Sequence, residues 1–502
     1  MKHKKVILIM TDTQRTDMLG CYGNSAMHTP NLDSLAAEGV LFEKAYTTQP
    51  VCQPARSAIF TGSYPHSCAG WSNCMGLSDN VQNIGKRLTD QGIHSAYIGK
   101  WHLDGGDYFG LGVCPDGWDE AYWYDMRCYL EELTEEERYL SRQVESIEKY
   151  NIKEEFTYGH RCSDRAIDFL KNHQDEDYFL VVSYDEPHGP HLCPKKYTDL
   201  YQDYEIPKKK NMSDTLENKP AHHRIWAGDD YGKAAKEDFH LCPKEFLGCN
   251  TFVDFEIGRV LDAVKEFADD SVIIYTSDHG DMMYSHSLTG KGPAMYEEIT
   301  HIPLLIKGFG KGKNHNPVSH INLAPTIFDI LGVSKTKMFE GNSILPELTD
   351  KSTRVNDYIF MEFGRYEVDH DGFGGYQPVR AAFDGRYKLV INLMDTDEFY
   401  DLELDPEEMN NEIHNPEYDK EKKRLHKALL DQMYETRDPF RGYYWENRHW
   451  NPDTTYQTWD SRKMTRQREN EEYEPRQLDY GTGLPIREAV RVKGESDAKF
   501  AD

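Results

Sequence analysis

The 502-residue sequence has no hydrophobic run approaching the roughly 20 apolar residues of a membrane span. Behind the basic start Met1–Lys5, the apolar stretch Val6–Met10 ends at Thr11-Asp12. That is short of the ~7–15 apolar residues of a secretory signal. The expectation is a cytoplasmic protein with no membrane partner. Positive charge is also scarce: 58 Lys and Arg face 86 Asp and Glu, for a net charge of −28. A nucleic-acid backbone is thereby disfavoured as a partner, because phosphate binding needs clustered cations. A small anionic substrate is not excluded, since a few cations in one pocket can outweigh a distant net charge. Cysteines number ten, all at or before position 249, and none forms a C-x-x-C pair. A disulfide scaffold, a zinc ribbon and a thioredoxin-type motif are therefore not indicated. There is no internal repeat and no low-complexity run. The 38% hydrophobic and 12% aromatic content suffices for a packed core.

What is present is an alternation. Short apolar runs bounded by turn residues occur at Val6–Met10, Ser95–Ile98, Phe179–Tyr184, Val272–Thr276, Pro303–Ile306 and Tyr358–Phe363. Continuous runs of this kind suit strands buried on both faces. Helical patterns lie between them at Asn31–Glu38, Asn83–Gln91 and Glu245–Phe267, the first two stopped by Gly39 and Gly92. The pattern predicts an α/β fold with a large, mostly parallel sheet flanked by helices. After about Leu348 the texture changes. Tyr387–Asn392 and Glu398–Leu402 read as strands of a small antiparallel sheet, and Asp419–Thr436 as an amphipathic helix. The expected organisation is a catalytic α/β domain over 1–350, a smaller C-terminal α+β subdomain over 351–438 and an extended arm over 439–502. The arm carries Trp445, Trp450 and Trp459, which argues for packing on the domain or a neighbouring subunit and so for a homo-oligomer.

Three constellations carry chemistry. Asp12 directly follows the first strand, and Asp278-His279 follows the run Val272–Thr276. Ligands of such sheets bind where strands end. A lone Asp there also reads as a turn cap, but two strand ends could bring Asp12, Asp278 and His279 around one divalent cation. Oxygen-rich donors favour Ca²⁺, Mg²⁺ or Mn²⁺. The third is Cys52-Gln53-Pro54-Ala55-Arg56, followed by Thr61-Gly62-Ser63-Tyr64-Pro65-His66.

On this stretch the chain resembles the type I sulfatases of the alkaline phosphatase superfamily, whose signature it matches. The resemblance covers roughly residues 4 to 415 and includes Gly99-Lys100-Trp101-His102, Pro187-His188, Thr289-Gly290-Lys291-Gly292 and Tyr400-Asp401-Leu402. It implies an alkaline-phosphatase-like sheet and a hydrolase of sulfuric esters. It further implies that Cys52 is oxidised to Cα-formylglycine by a maturase. Asp12, Asp278, His279 and residue 52 would then hold one divalent metal, Ca²⁺ first, with Mn²⁺ or Mg²⁺ as alternatives. Lys100 and His102 match the Lys-x-His pair beside the nucleophile, His188 the histidine facing the leaving group, and Lys291 the second sulfate-binding lysine. Arg56 matches the arginine that holds the nucleophile loop. Two positions depart from the usual pattern: Asp12-Thr13 stands where many sulfatases have Asp-Asp, and Asp278-His279 where many have Asp-Asn. Asp-His also resembles phosphonate monoester hydrolases, and an imidazole ligand brings Mn²⁺ forward beside Ca²⁺.

A sulfate ester repels an approaching nucleophile, so a metal and local cations must cancel its charge. Lys100, Lys291 and Arg56 would do so. The rest of the substrate would meet His66, Trp71, Asp104, His223 and Arg224, since aromatic planes beside Asp, His and Arg suit a sugar ring. The leading expectation is a sulfated carbohydrate, such as a glycosaminoglycan-derived saccharide. The alternatives are a phosphonate monoester or phosphodiester hydrolase with the same nucleophile, and a catalytically silent sugar-binding homologue.

Overall fold

The computed structural model describes residues 4–452 except 79, 106, 351 and 368–374. Among the described residues thirteen strands form: β1 (Lys5–Thr11), β2 (Val40–Phe42), β3 (Ala45–Tyr46), β4 (His94–Gly99), β5 (Tyr178–Ser183), β6 (Val272–Ser277) and β7 (Leu304–Lys307), then β8 (Gly312–Asn314), β9 (Val318–Ser319), β10 (Ile359–Arg365), β11 (Tyr376–Phe383), β12 (Tyr387–Asn392) and β13 (Glu398–Asp401). Seven make one sheet in the order β4-β5-β1-β6-β7-β2-β8. β4, β5, β1 and β6 run parallel, β7 is antiparallel to both its neighbours, and β2 pairs with β8 in parallel. The sheet is therefore mostly parallel, with one reversed strand at the Pro303–Ile306 run.

Both faces are covered, which is why the strands read as unbroken apolar runs. Along β1, Ile7 and Ile9 join one core with the helices Tyr158–Asn172 and Lys244–Phe267. Val6, Leu8 and Met10 join the other with Ile59 and Phe60 of the helix Cys52–Thr61 and with Leu323 to Leu331.

The second sheet is antiparallel, in the order β10-β11-β12-β13. The run Tyr358–Phe363, grouped by its apolar texture with the large sheet, belongs here as β10. One face packs on the helix Asp419–Glu435 through Leu425, Leu429, Leu430 and Met433. The other packs on Tyr46, Val51 and Met295, so its apolar core touches the residue preceding Cys52. Of the predicted arm, Trp445 is buried and Trp450 partly buried against that helix. The remainder of the arm, with Trp459, lies outside the described residues. Among the described residues no helix is long and apolar enough to cross a membrane, and all ten cysteines are free thiols.

Candidate active site

The large sheet brings two strand ends together. β1 and β6 are parallel neighbours with Thr11 opposite Ser277, so the next residues, Asp12 and Asp278, emerge side by side. The helix Cys52–Thr61 points its first turn at them. It starts cleanly because Val51 is extended and Pro54 lies in the first turn, where no intrahelical N–H bond is lost. It stops at Gly62, whose φ of 68° suits a left-handed cap. Cys52 and Arg56 are four residues apart and share a face.

Asp12, Cys52, Asp278 and His279 form one buried group whose donor atoms all lie within 4.8 Å of one another. Cys52 Sγ is 3.7 Å from Asp12 Oδ1 and 3.1 Å from His279 Nε2. His279 Nδ1–H donates to the Gly280 carbonyl at 2.8 Å, which leaves the Nε2 lone pair facing the cluster. Two carboxylates, a thiol and an unprotonated imidazole nitrogen fit a divalent cation. A cation already sits against two of these atoms: Lys291 Nζ lies 2.7 Å from Cys52 Sγ and 3.0 Å from His279 Nε2. At the first departure from the usual pattern, Thr13 donates its hydroxyl to Asp12 Oδ1 at 2.6 Å and its amide to Asp278 Oδ1 at 3.2 Å. A neutral donor there orients both carboxylates.

Arg56 is fully buried and binds Asp278 Oδ2 at 3.1 Å, Asp12 Oδ2 at 3.3 Å, the Lys100 carbonyl at 2.7 Å and Ser183 Oγ at 2.8 Å. It thus ties the helix to the ends of β1, β6, β4 and β5. Lys100 follows β4 through Gly99, where an added Cβ would fall 1.9 Å from the Ser183 carbonyl oxygen. Its ammonium binds Asp12 Oδ2 at 2.7 Å, Asp185 Oδ1 at 2.9 Å and the Tyr108 hydroxyl at 2.9 Å. Tyr108 donates to Asp185 at 2.5 Å and lies 2.9 Å from His188 Nδ1.

Charge sets the protonation states. Burial pushes the Asp12 carboxyl up, but Lys100, with His188, Lys291 and His279, holds it well below the usual range. Burial and Asp12 push the Cys52 thiol up, and Lys291 and Lys100 outweigh them, so it is lowered. Burial, then Lys100 and Arg56, keep His102 far below an ordinary histidine. It is a neutral base, and its Nδ1 has no hydrogen-bond partner among the described residues. Asp278 is pushed up to about 7 by burial and by Asp12.

The substrate candidates each have protein partners. His66 is held by Glu362, with its Nδ1 2.5 Å from Oε2. Trp71 packs on Gly364 of β10. Asp104 accepts the Leu111 amide at 2.8 Å. His223 is buried, with Nε2 3.3 Å from the Pro293 carbonyl and Nδ1 3.1 Å from the Tyr296 hydroxyl. Arg224 lies over the Tyr231 ring. The helix Ala221–Ala227, which carries His223 and Arg224, backs the lysine loop. His222 Nε2 is 2.9 Å from the Pro293 carbonyl, and Trp226 Nε1–H donates to the Thr289 carbonyl at 3.1 Å. The Trp226 ring lies where a Cβ on Gly292 would meet it at 3.0 Å.

Sequence reasoning missed Tyr108 and Asp185, which link Lys100 to His188. It also missed Tyr366, which follows β10 and exerts an electrostatic influence on Lys291. Asp185 offered one signal: it stands two residues past the end of β5, as Asp12 stands one past β1.

The sheet gathers at its strand ends a buried group that could hold a metal ion, and comparison with known proteins gives the class of scaffold. A model of the sulfatase family matches residues 4–333, and one of the C-terminal region of N-sulphoglucosamine sulphohydrolase matches 288–435. The chain belongs to the sulfatase family and is a hydrolase of sulfuric esters. It is 43% identical over 510 residues, with 100% of both chains covered, to the uncharacterized sulfatase YidJ of Escherichia coli. It is 25% identical to the N-acetylglucosamine-6-O-sulfatase of Bacteroides thetaiotaomicron, covering 87% of this chain and 88% of that one. In fold it is similar to BT4656, solved in complex with D-glucosamine-2-N,6-O-disulfate, with a TM-score of 0.73 at 22% identity over 87% and 99% of the two chains. It is also similar to the phosphonate monoester hydrolase of Agrobacterium radiobacter, with a TM-score of 0.70 at 21% identity over 86% and 96%.

Proposed function

We propose that this sulfatase removes sulfate from a sulfated saccharide, with residue 52, matured from Cys52 to formylglycine, as nucleophile. The observation that carries this is the joining of Cys52 to Asp12, Asp278, His279 and Lys291 in one buried group. The saccharide rests on the glucosamine-sulfate relative and on the substrate of the structural neighbour.

Asp12, Asp278, His279 and residue 52 would hold one divalent metal, Ca²⁺ first, with Mn²⁺ or Mg²⁺ as alternatives. When bound, the metal neutralises sulfate charge and the hydrated aldehyde offers two hydroxyls on one carbon. Lys100 and Lys291 add positive charge on either side of the nucleophile and bind sulfate oxygens. Arg56 fixes the helix and both carboxylates. His188, held by Tyr108, donates a proton to the departing alcohol. His102, kept neutral, accepts the proton whose removal releases sulfate and restores the aldehyde. Maturation requires a formylglycine-generating partner.

A phosphonate monoester hydrolase is the second reading, favoured by Asp278-His279 and the Agrobacterium neighbour. Mass spectrometry of the Cys52 peptide, with parallel assays on sulfated glucosamines and an aryl phosphonate, tests both. An active enzyme with an unmodified thiol refutes the nucleophile, and a large phosphonate preference refutes the substrate class.

A further inference from the structure

The opposite end of the large sheet carries a second group of donor side chains. His94 opens β4, whose far end leads to Lys100. His173 caps the helix Tyr158–Asn172, and Glu176 lies two residues before β5. His94 Nδ1 is 3.0 Å from Glu176 Oε2, and His173 Nδ1 is 2.7 Å from Glu176 Oε1. One donor atom from each residue lies within 4.8 Å of the others.

The surroundings fix both rings. Phe169 stacks on His173 with centroids 4.5 Å apart and tilts against His94 at 5.4 Å. His94 Nε2 lies 2.7 Å from Asp119 Oδ2, and the other Asp119 oxygen accepts the Ala121 amide at 2.9 Å. A carboxylate can only accept, so that contact places an N–H on Nε2, and Nδ1 is the ring nitrogen turned toward His173 and Glu176. A carboxylate behind an imidazole whose other nitrogen faces further donors is the usual outer shell of a metal-binding histidine.

We propose that His94, His173 and Glu176 bind a late first-row divalent cation such as Zn²⁺, with Asp119 orienting His94. Two imidazoles and one carboxylate supply three ligands of a four-coordinate site, and solvent supplies the fourth. Bound there, the ion ties the start of β4, the loop bearing Asp119 and the turn before β5, remote from the catalytic strand ends.

Metal-stripped full-length protein is titrated with Zn²⁺ for stoichiometry and with Co²⁺ for its visible ligand-field spectrum. The parent is expected to show a four-coordinate Co²⁺ band that persists in Asp278→Asn. His173→Ala and Glu176→Gln should lose that band and one tight Zn²⁺ equivalent while keeping sulfatase activity. Glu176 is 43% exposed, so Glu176→Gln tests the site even if His173→Ala folds poorly. Unchanged stoichiometry and spectrum in Glu176→Gln would overturn the site, leaving only an imidazolium–carboxylate network.

Discussion

Two buried clusters of charge differ in one respect. At the seam between the two sheets, the Lys388 ammonium binds the Met295 carbonyl at 2.7 Å, Glu297 Oε1 at 2.7 Å and Glu408 Oε1 at 2.8 Å. Its three protons have three acceptors. The Tyr46 hydroxyl donates to Glu297 at 2.8 Å, and the Glu297 amide to Glu408 at 2.8 Å. At the catalytic cluster the valence is unfilled. His279 Nε2 and Cys52 Sγ share one ammonium, and His102 Nδ1 has no partner among the described residues. Burial of charge therefore does not mark a site. Unfilled bonding capacity around buried charge does, because it is what a substrate or ion would complete.

Substitutions that break each cluster sharpen this contrast. The largest effect is expected for Cys52→Ala: at least about a 10⁴-fold loss of kcat/KM for sulfate release, since no other group replaces the nucleophile. Its thermal midpoint should stay that of the parent. The two lysines should then separate. Lys291→Met should lower kcat/KM by about 10²–10³-fold, as for loss of one donor to a charged transition state, with stability retained. Lys388→Met should do the reverse and cost about 3–5 kcal/mol in urea unfolding, because the buried Glu297 carboxylate loses its counter-ion and Glu408 loses a donor. Equal destabilisation by both would remove the distinction.

The seam also sets a pH dependence. One ammonium cannot neutralise two buried carboxylates. Burial and the charge of Glu297 push Glu408 up to about 8 against the pull of Lys388, while Glu297 lies below its usual range. The folded state thus holds the Glu408 proton more tightly than the unfolded chain, whose carboxyl titrates near 4.5. The stability this confers is complete below about pH 4.5 and is lost as pH rises through about 8. Urea midpoints measured between these values should fall in the parent and fall less in Glu408→Gln. Parallel profiles would show that another group titrates.

The parallel part of the large sheet was legible because strands buried on both faces are nearly all apolar, as at Val6–Met10 and Val272–Thr276. The short strands β2 and β8 were not, since three-residue strands carry too few side chains to show a period. β11 was missed because Pro378 and Arg380 interrupt its texture; Arg380 is buried by its ion pair with Asp438 at 2.5 Å. At the site, Asp12, Cys52, Asp278 and His279 stood in readable motifs. Tyr108 and Tyr366 did not, because each comes from a segment that only tertiary packing delivers. His223 and Arg224 were read as substrate contacts from their residue types. The first is placed beside the lysine loop at Pro293 and the second over the Tyr231 ring, positions that residue type does not carry.

The smallest expected effect tests how that loop acts. Trp226 holds the Thr289 carbonyl and leans on Gly292, the residues on either side of Gly290-Lys291. Trp226→Phe removes the donor and keeps an aromatic ring. It should lower kcat/KM about 10-fold, or ~1.4 kcal/mol, through misplacement of the Lys291 ammonium. Because the effect would pass through Lys291, it should largely vanish when Trp226→Phe is added to Lys291→Met. A full 10-fold loss in that background would mean that Trp226 reaches the substrate by another route, and the helix Ala221–Ala227 would then belong to the pocket rather than to its support.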